Sequence, residues 1–318
     1  MAKNQSFGKA KKQKEDEFYT QLEDVSFELK HYKNHFKGKT VFCNCDDPTW
    51  SAFWKYFHLQ FDELGLKKLI STHYDKEEPT YKMEYCGGDD NNTEAGTKTP
   101  LEGNGDFRNA ECIELLKEAD IVVTNPPFSL FREYLTQLIE YEKDFLIIGN
   151  QNAITYKEVF TWLQNNKVWL GYKSGDMAFK VPDYYEPRAT RYWQDETGQK
   201  WRSMGNICWF TNLDIQKRHE KIILWKNYSA EEFPKYDNYD AINIDKVADI
   251  PKDFYSPMGV PITFIDKYNP EQFEILNANE YRTNENVPVK SHGLIKDKDG
   301  SINGKPKYAR ILIRRKDI

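Results

Sequence analysis

A chain of 318 residues can hold one large α/β domain, or a domain with a smaller lobe. Its hydrophobic content is 39%, with aromatics at 15% supplying core volume, and it has no apolar run of ~18 residues, which excludes a membrane-spanning helix. The formal charge of −5 by itself argues against nucleic-acid binding, but the distribution of charge matters more than its sum.

The chain begins with Lys3, Lys9, Lys11, Lys12 and Lys14 and no acid before residue 15. This lysine-rich stretch lacks the apolar core of a secretory signal and reads as a flexible basic arm over 1–14. Glu17, Phe18, Tyr19 and Thr20 lead into a predicted helix ending near Gly38. Thr40–Cys45 reads as a first strand, stopping at Asp46-Asp47-Pro48. From Trp50 to Leu64, Phe53, Trp54, Phe57, Phe61 and Leu64 recur at helical spacing, and Gly65 closes the helix. Leu66–Asp75 reads as a second strand. Strand, helix and strand in about 35 residues make a βαβ unit. Asp75 ends its second strand, where α/β nucleotide folds hold a ribose hydroxyl pair. No Gly-x-Gly-x-x-Gly is present, which argues against a dinucleotide pyrophosphate site.

Residues 76–105 are polar and glycine-rich, an irregular excursion with an edge hairpin expected around Tyr81–Cys86. Gly105-Asp106-Phe107 follows, then a helix to about Glu118. Ile121-Val122-Val123 reads as a buried parallel strand that stops abruptly at Asn125-Pro126-Pro127-Phe128. The prolines fix φ and cannot donate to the ladder, so Asn125 is held at the carboxyl end of the strand. A carboxamide, a rigid carbonyl and a ring within four residues suit a planar, amine-bearing group. Asn-Pro is equally an ordinary turn, and the motif alone does not decide between the two.

A helix over Ser129–Glu142 with Ser129 as N-cap, a buried strand at Phe145–Gly149, a helix over Tyr156–Asn166 and a strand over Lys167–Tyr172 continue the alternation. Such alternation predicts a doubly wound, mostly parallel α/β sheet, and the pattern of 167–181 and 205–213 adds a C-terminal antiparallel hairpin. Between its arms, 182–203 collects Tyr184, Tyr185, Arg188, Arg191, Tyr192, Trp193, Trp201 and Arg202. Aromatics interleaved with arginine suit a nucleic-acid groove, and they equally suit a small packed lobe. A final strand is expected over Tyr308–Ile313. Cys43, Cys45, Cys86, Cys112 and Cys208 are odd in number, lack zinc spacing and read as reduced thiols of a cytosolic protein.

Taken together, Glu17-Phe18-Tyr19-Thr20, the strand ending Asp47-Pro48, Asp75, Gly105-Asp106-Phe107 and Asn125-Pro126-Pro127-Phe128 resemble the motif order of DNA adenine-N6 methyltransferases. Phe42–Pro48, Ile121–Tyr134, Phe145–Asn150, Met258–Phe264 and Asp266–Phe273 narrow the resemblance to the EcoRI-type modification methylase family, over most of the chain from about residue 15. The usual glycine-rich turn after the first strand is replaced by Asp46-Asp47-Pro48-Thr49-Trp50, an oddity this family shares.

The resemblance implies a class I, Rossmann-like methyltransferase sheet over 15–215, with the DNA-contacting insert at 182–203 and a target-recognition or accessory region at 216–318. It implies methyl transfer from S-adenosyl-L-methionine to N6 of an adenine flipped out of duplex DNA, as protection beside a restriction enzyme. The implied catalytic residues are Asn125, Pro126, Pro127 and Phe128. For the cofactor, Phe18, Tyr19 and Thr20 would close the methionine side, with Asp46 or Asp47, beside Pro48, at its amine. Asp75 would take the ribose, and Asp106 and Phe107 the adenine of the cofactor, next to Asn125. Lys11, Lys12, Lys14, Arg188, Arg191 and Arg202 are the candidate DNA contacts. No metal, membrane or obligate protein partner is expected, a cognate restriction endonuclease on the same site being the one companion suggested. The setting is bacterial or phage-encoded and cytoplasmic. Asn-Pro-Pro-aromatic also occurs in methyltransferases of RNA and of protein glutamine, and a DNA-binding module with a vestigial site would carry the same motifs.

Overall fold

The computed structural model describes residues 18–75, 78–283, 293–295, 300–307 and 309–316. The basic arm with Lys11, Lys12 and Lys14 lies outside the described residues, as does Tyr308.

The chain folds as two compact units. The first runs to Ala153 and resumes over Gly171–Leu213; the second takes Ile154–Leu170 and the chain from Asp214 onward. The first unit is a mixed α/β structure on a nine-stranded sheet. Its strands are β1 (Thr40–Cys43), β2 (Lys68–His73), β3 (Tyr81–Tyr85), β4 (Thr97–Pro100), β5 (Ile121–Thr124), β6 (Asp144–Asn150), β7 (Trp169–Lys180), β8 (Tyr192–Gln194) and β9 (Lys200–Thr211). The order is β4-β3-β2-β1-β5-β6-β9-β7, with β8 pairing β9.

The centre of this sheet is parallel. Thr40 to Cys43 face Lys68 to Ser71, Val41 faces Ile121, and Ile121 to Thr124 face Asp144 to Ile147. All four residues of β1 and of β5 are buried, as expected of strands covered on both faces. The expected βαβ unit is present. Its helix Ala52–Leu59 is capped by Ser51, whose Oγ accepts the N–H groups of Phe53 and Trp54, and the following turn Phe61–Leu64 ends in left-handed Gly65. Phe53, Trp54 and Phe57 on that helix are fully buried, and Phe53 meets Trp209 of β9 edge-on at 5.9 Å.

Beyond β2 the parallel winding stops. Among the described residues, the polar excursion after Asp75 contains no helix to carry the chain across the sheet, and β3 returns antiparallel to β2 and β4 antiparallel to β3. At the other side β9 runs antiparallel to β6. Two local expectations shift. The first helix, Leu22–Leu29, ends early and a short turn Lys33–His35 follows. Ser129 does not cap its helix, because Pro127 leads straight into a 3₁₀ turn, Phe128–Leu130, and the helix starts at Phe131.

The second unit contains the helix Lys157–Gln164 and a five-stranded sheet. Its strands are β10 (Ile242–Asn243), β11 (Met258–Pro261), β12 (Phe273–Ile275), β13 (Leu294–Ile295) and, two short strands later, β16 (Arg310–Arg315). Strand β16 is the spine, antiparallel to β11, β12 and β13. Tyr236, Tyr239, Leu276, Ile295 and Leu312 form a buried cluster against it. Among the described residues, no helix is long and apolar enough to cross a membrane.

Candidate active site

Because β1, β2 and β5 are parallel neighbours, their carboxyl ends lie side by side. The sequence places an acid or an amide after each: Asp46 and Asp47 after β1, Asp75 after β2, Asn125 after β5. Gly105 completes the group. Its backbone has φ +73, and a side chain there would lie 3.0 Å from the carbonyl carbon of His73 at the end of β2. Only glycine brings Asp106 and Phe107 this close to the strand end.

Asn125 is fixed from both sides. Its backbone N–H donates to Asp46 Oδ2 at 3.3 Å, and its Nδ2 donates to the Phe18 carbonyl at 2.7 Å. That second bond determines which way the carboxamide faces: the amino end is taken by the chain, and the acceptor Oδ1 is buried without a protein partner. Buried acceptors are ordinarily satisfied, so this one marks a place for an outside donor. The Phe128 ring stacks on Phe18 at 5.4 Å and 22°, and Phe179 and Tyr185 meet Phe18 edge-on at 5.6 and 6.1 Å.

The segment 18–20 is drawn in by a two-way backbone bridge between Tyr19 and Lys180, 2.9 and 3.2 Å. The Tyr19 ring lies 4.3 Å from Trp50. Thr20 is buried, and its Oγ1 also has no partner.

The two neighbouring aspartates differ. Asp46 is 4% exposed and turns under β5, accepting from the Thr124 hydroxyl. Burial pushes its carboxyl up to about 7, against the opposing effect of its hydrogen bonds from Thr124, Asn125 and Ser51. Asp47 is more open and accepts from Tyr81 OH at 3.0 Å, Thr49 N at 2.8 Å and Thr49 Oγ1 at 2.7 Å, while its Oδ2 lies 2.7 Å from His73 Nδ1. His73 stacks on Tyr81 at 5.0 Å. Sequence reasoning missed Thr124, Ser51, His73 and Tyr81. The available signals were a hydroxyl closing the apolar strand β5 for Thr124, an imidazole closing β2 for His73 and a serine just before the helix for Ser51; Tyr81, at the start of β3, carried none.

Asp75 Oδ1 accepts from Glu78 N at 2.9 Å. Asp106 is gripped by Arg108, Nε to Oδ1 at 2.8 Å and Nη2 to Oδ2 at 2.6 Å, and this pairing raises the arginine further. Phe107 is 4% exposed, edge-on to Tyr134 at 4.9 Å, with the Arg108 guanidinium 5.1 Å from its ring centre.

In the insert, β8 folds on β9 with Trp193 opposite Trp201, their rings parallel within 2°. Arg188 lies over Tyr185 at 5.8 Å, Arg191 pairs with Asp176 at 2.8 Å, and Arg202 donates to the carbonyls of Thr190 and Arg191. Tyr184 and Trp193 are exposed. Among the described residues, no group of three His, Cys, Asp or Glu side chains is placed to hold a metal ion.

Residues 6–316 match the family model described as adenine-specific methyltransferase EcoRI. The Type II methyltransferase M.EcoRI of Escherichia coli is 48% identical over 333 residues, covering 100% of this chain and 98% of its own length. Two mycoplasma proteins are also similar. M.MgeORF184P of Mycoplasma genitalium is 40% identical, covering 98% of this chain and 99% of its own. M.MpnI of Mycoplasma pneumoniae is 38% identical, covering 98% of each. No solved structure matches the chain. A match over nearly the whole length, together with Asn-Pro-Pro-Phe fixed at the end of a parallel strand, establishes that the chain belongs to the EcoRI family of adenine-specific methyltransferases.

Proposed function

We propose that this chain transfers a methyl group from S-adenosyl-L-methionine to N6 of an adenine flipped out of a specific duplex DNA sequence, on a class I, Rossmann-like sheet. The observation that carries the reading is Asn125, whose amino end is taken by Phe18 and whose acceptor is buried and vacant of any protein donor. An adenine amine supplies that donor.

Exocyclic N6 is a poor nucleophile because its lone pair is spread into the ring. Asn125 Oδ1 and the Pro126 carbonyl accept its two hydrogens, which bends the nitrogen toward tetrahedral and localises the pair. Phe128 stacks against the base, contributing ~1–3 kcal/mol toward the cost of unstacking it from the duplex. Bound S-adenosyl-L-methionine supplies an electrophilic methyl on a sulfonium sulfur. No general base of shifted pKa is required, since the N6 proton is lost to water after transfer; alignment and charge placement carry the rate.

The residues present fit such a cofactor. Thr20 Oγ1 is an unpartnered buried hydroxyl, and acids stand after β1 and β2. Asp47, the less buried of its pair, is assigned to the methionine amine beside Pro48, Asp75 to the ribose hydroxyls, and Asp106 with Phe107 to the adenine. Phe18, Tyr19 and Thr20 close the methionine side.

Residues 15–215 are assigned as the catalytic domain and 216–318 as a target-recognition region. The insert at 182–203, through Arg188, Arg191 and Arg202, is assigned to DNA contact, with Lys11, Lys12 and Lys14 of the basic arm on phosphates. The biological role is protection of a site also cut by a cognate restriction endonuclease.

The test is incorporation of labelled methyl into duplex DNA, RNA and protein offered in parallel. Labelled N6-methyladenine in duplex DNA is expected; labelling of RNA or protein alone would refute the reading. Asn125→Ala is expected to abolish methylation while DNA affinity stays within about threefold; surviving activity would refute the mechanism. Sequencing methylated adenines in a host that expresses the chain reads out the recognition site.

A further inference from the structure

Asp46 is a buried acid at the junction of three elements. The Thr124 hydroxyl, at the end of β5, donates to its Oδ2, and the backbone N–H of Asn125 donates to the same oxygen at 3.3 Å. The Ser51 hydroxyl bonds it from the start of the helix Ala52–Leu59. Ser51 Oγ already accepts the Phe53 and Trp54 N–H groups at 3.1 and 3.2 Å, so its own hydrogen is left for the acid. Thr124 Oγ1 likewise accepts the Cys45 N–H at 3.1 Å, leaving its hydrogen for Asp46. The Asp46 backbone carbonyl accepts the Ser71 hydroxyl from β2.

A carboxylate that is 4% exposed is expensive to bury, and an apolar residue would seal the same gap at lower cost. What an apolar residue would not do is accept from the backbone of Asn125. We propose that Asp46 is a positioning residue for methyl transfer: by tying the end of β5 to the end of β1, it fixes the Asn125 backbone and hence the aim of the Asn125 carboxamide. The inference rests on the proposed role of Asn125 as acceptor for the target amine.

A positioning role differs from a purely structural one in its pH signature. Burial pushes the Asp46 carboxyl up to about 7. The titratable groups facing it are Asp47 in the same turn, Cys43 and Cys45 on β1 and just past it, and Tyr134 from the helix Phe131–Glu140. Burial holds both thiols and the phenol far above neutrality, so they stay uncharged through pH 6–8. Ionised Asp46 accepts all three donors, whereas the protonated acid gives up part of that capacity. The rate should therefore rise from pH 6 to pH 8, by up to about tenfold for one group titrating near 7.

The experiment measures kcat and KM for S-adenosyl-L-methionine and duplex DNA across pH 6–8, on the full chain. Methylation of DNA by the unaltered chain is established first; its absence would be a failure of the underlying reading and not of this one. Asp46→Ala is expected to lower kcat by at least about tenfold while the cofactor KM stays within about threefold. Asp46→Asn keeps one acceptor oxygen without the charge, as the protonated acid does, and is expected to hold kcat above that of Asp46→Ala, near the unaltered enzyme's pH 6 value, with a flat pH profile. The proposal is overturned if Asp46→Ala, folded, keeps kcat within about threefold of the unaltered enzyme, or if its loss is confined to cofactor KM, which would make Asp46 a cofactor ligand. If Asp46→Ala does not fold, Thr124→Val against Thr124→Ser decides: serine keeps the donor and should keep the rate, and a valine variant with unchanged kcat overturns the proposal.

Discussion

Gly149 in β6 offers a quantitative check on how the site is supported. Its added Cβ would fall on the Phe131 ring, within contact of Cε2 and 2.7 Å from Cζ, and 2.9 Å from Phe210 Cε2. Neither ring can retreat. Phe131 is 2% exposed and Phe210 fully buried, and they already pack on each other at 4.9 Å. Gly149→Ala therefore overpacks a closed core, at a cost of ~1–3 kcal/mol. Against this stands the ~0.4–1 kcal/mol by which alanine restrains the unfolded chain, since the glycine carries no left-handed backbone requirement. Overpacking wins, and a net loss of ~1–2 kcal/mol should lower the unfolding temperature by a few degrees. Phe131 opens the helix directly after Phe128, so the push is transmitted to the ring proposed to hold the target base. Thermal unfolding and kcat, measured on Gly149→Ala, Phe131→Leu and the double variant, separate the effects. The smaller leucine should relieve the clash, leaving the double variant more stable than the sum of the single losses by ~0.5–3 kcal/mol. An unfolding temperature unchanged in Gly149→Ala, or strict additivity in the double variant, would refute the reasoning.

Phe128→Ala removes the stacking face and is expected to lower kcat/KM for duplex DNA by roughly 5- to 150-fold, the equivalent of ~1–3 kcal/mol, with cofactor binding little changed; equilibrium cofactor titration and steady-state kinetics check it. In the second unit, His219 sits between Asp214 at 2.8 Å and Glu271 at 3.2 Å, and hydrogen bonds to both raise its pKa above 6.5. Protonation is favoured by folding, so this stabilisation is fully present below pH 6.5 and is lost as pH rises through the higher folded value. Thermal unfolding at pH 6 and pH 8.5 should show that difference shrinking in His219→Gln, and an unaltered difference would count against it.

The part of the fold with strong periodicity was legible. The apolar spacing from Phe53 to Leu64 and the four-residue buried runs of β1 and β5 define a βαβ unit and a parallel centre without tertiary knowledge. The edge hairpin expected around Tyr81–Cys86 is present as β3 and β4, while the antiparallel pairing of β3 on β2 was legible only as an absence, since the polar stretch after Asp75 contains no amphipathic segment to act as a crossover. The short strands around β16 were mostly unreadable. Two- and three-residue strands carry no period of their own and are set by contacts across long sequence separations.

The candidate site divides the same way. Asn125 and Phe128 announce themselves through the two prolines between them. That Asp46 turns under Asn125 while Asp47 turns to His73 and Tyr81 depends on which neighbour each carboxylate meets across the strand ends. Adjacent identical residues give no sequence signal for that. The partners of Arg191 and Arg202, Asp176 and two backbone carbonyls, are likewise properties of the folded hairpin.

The Phe18–Phe128 stack has a consequence for how a substrate is selected. At 5.4 Å between ring centres there is no room for a third ring, which needs ~3.4 Å on each side. On the proposed mechanism, an arriving base must therefore trade places with Phe18. The stacking gained on Phe128 is then set against the Phe18 contact given up, and a thymine, which has no exocyclic amine, makes much the same trade. Selection passes to the contacts that Phe18 does not already satisfy, foremost the vacant Asn125 acceptor. On that mechanism the ring at position 18 is a place-holder, and mere flatness is an insufficient credential for entry.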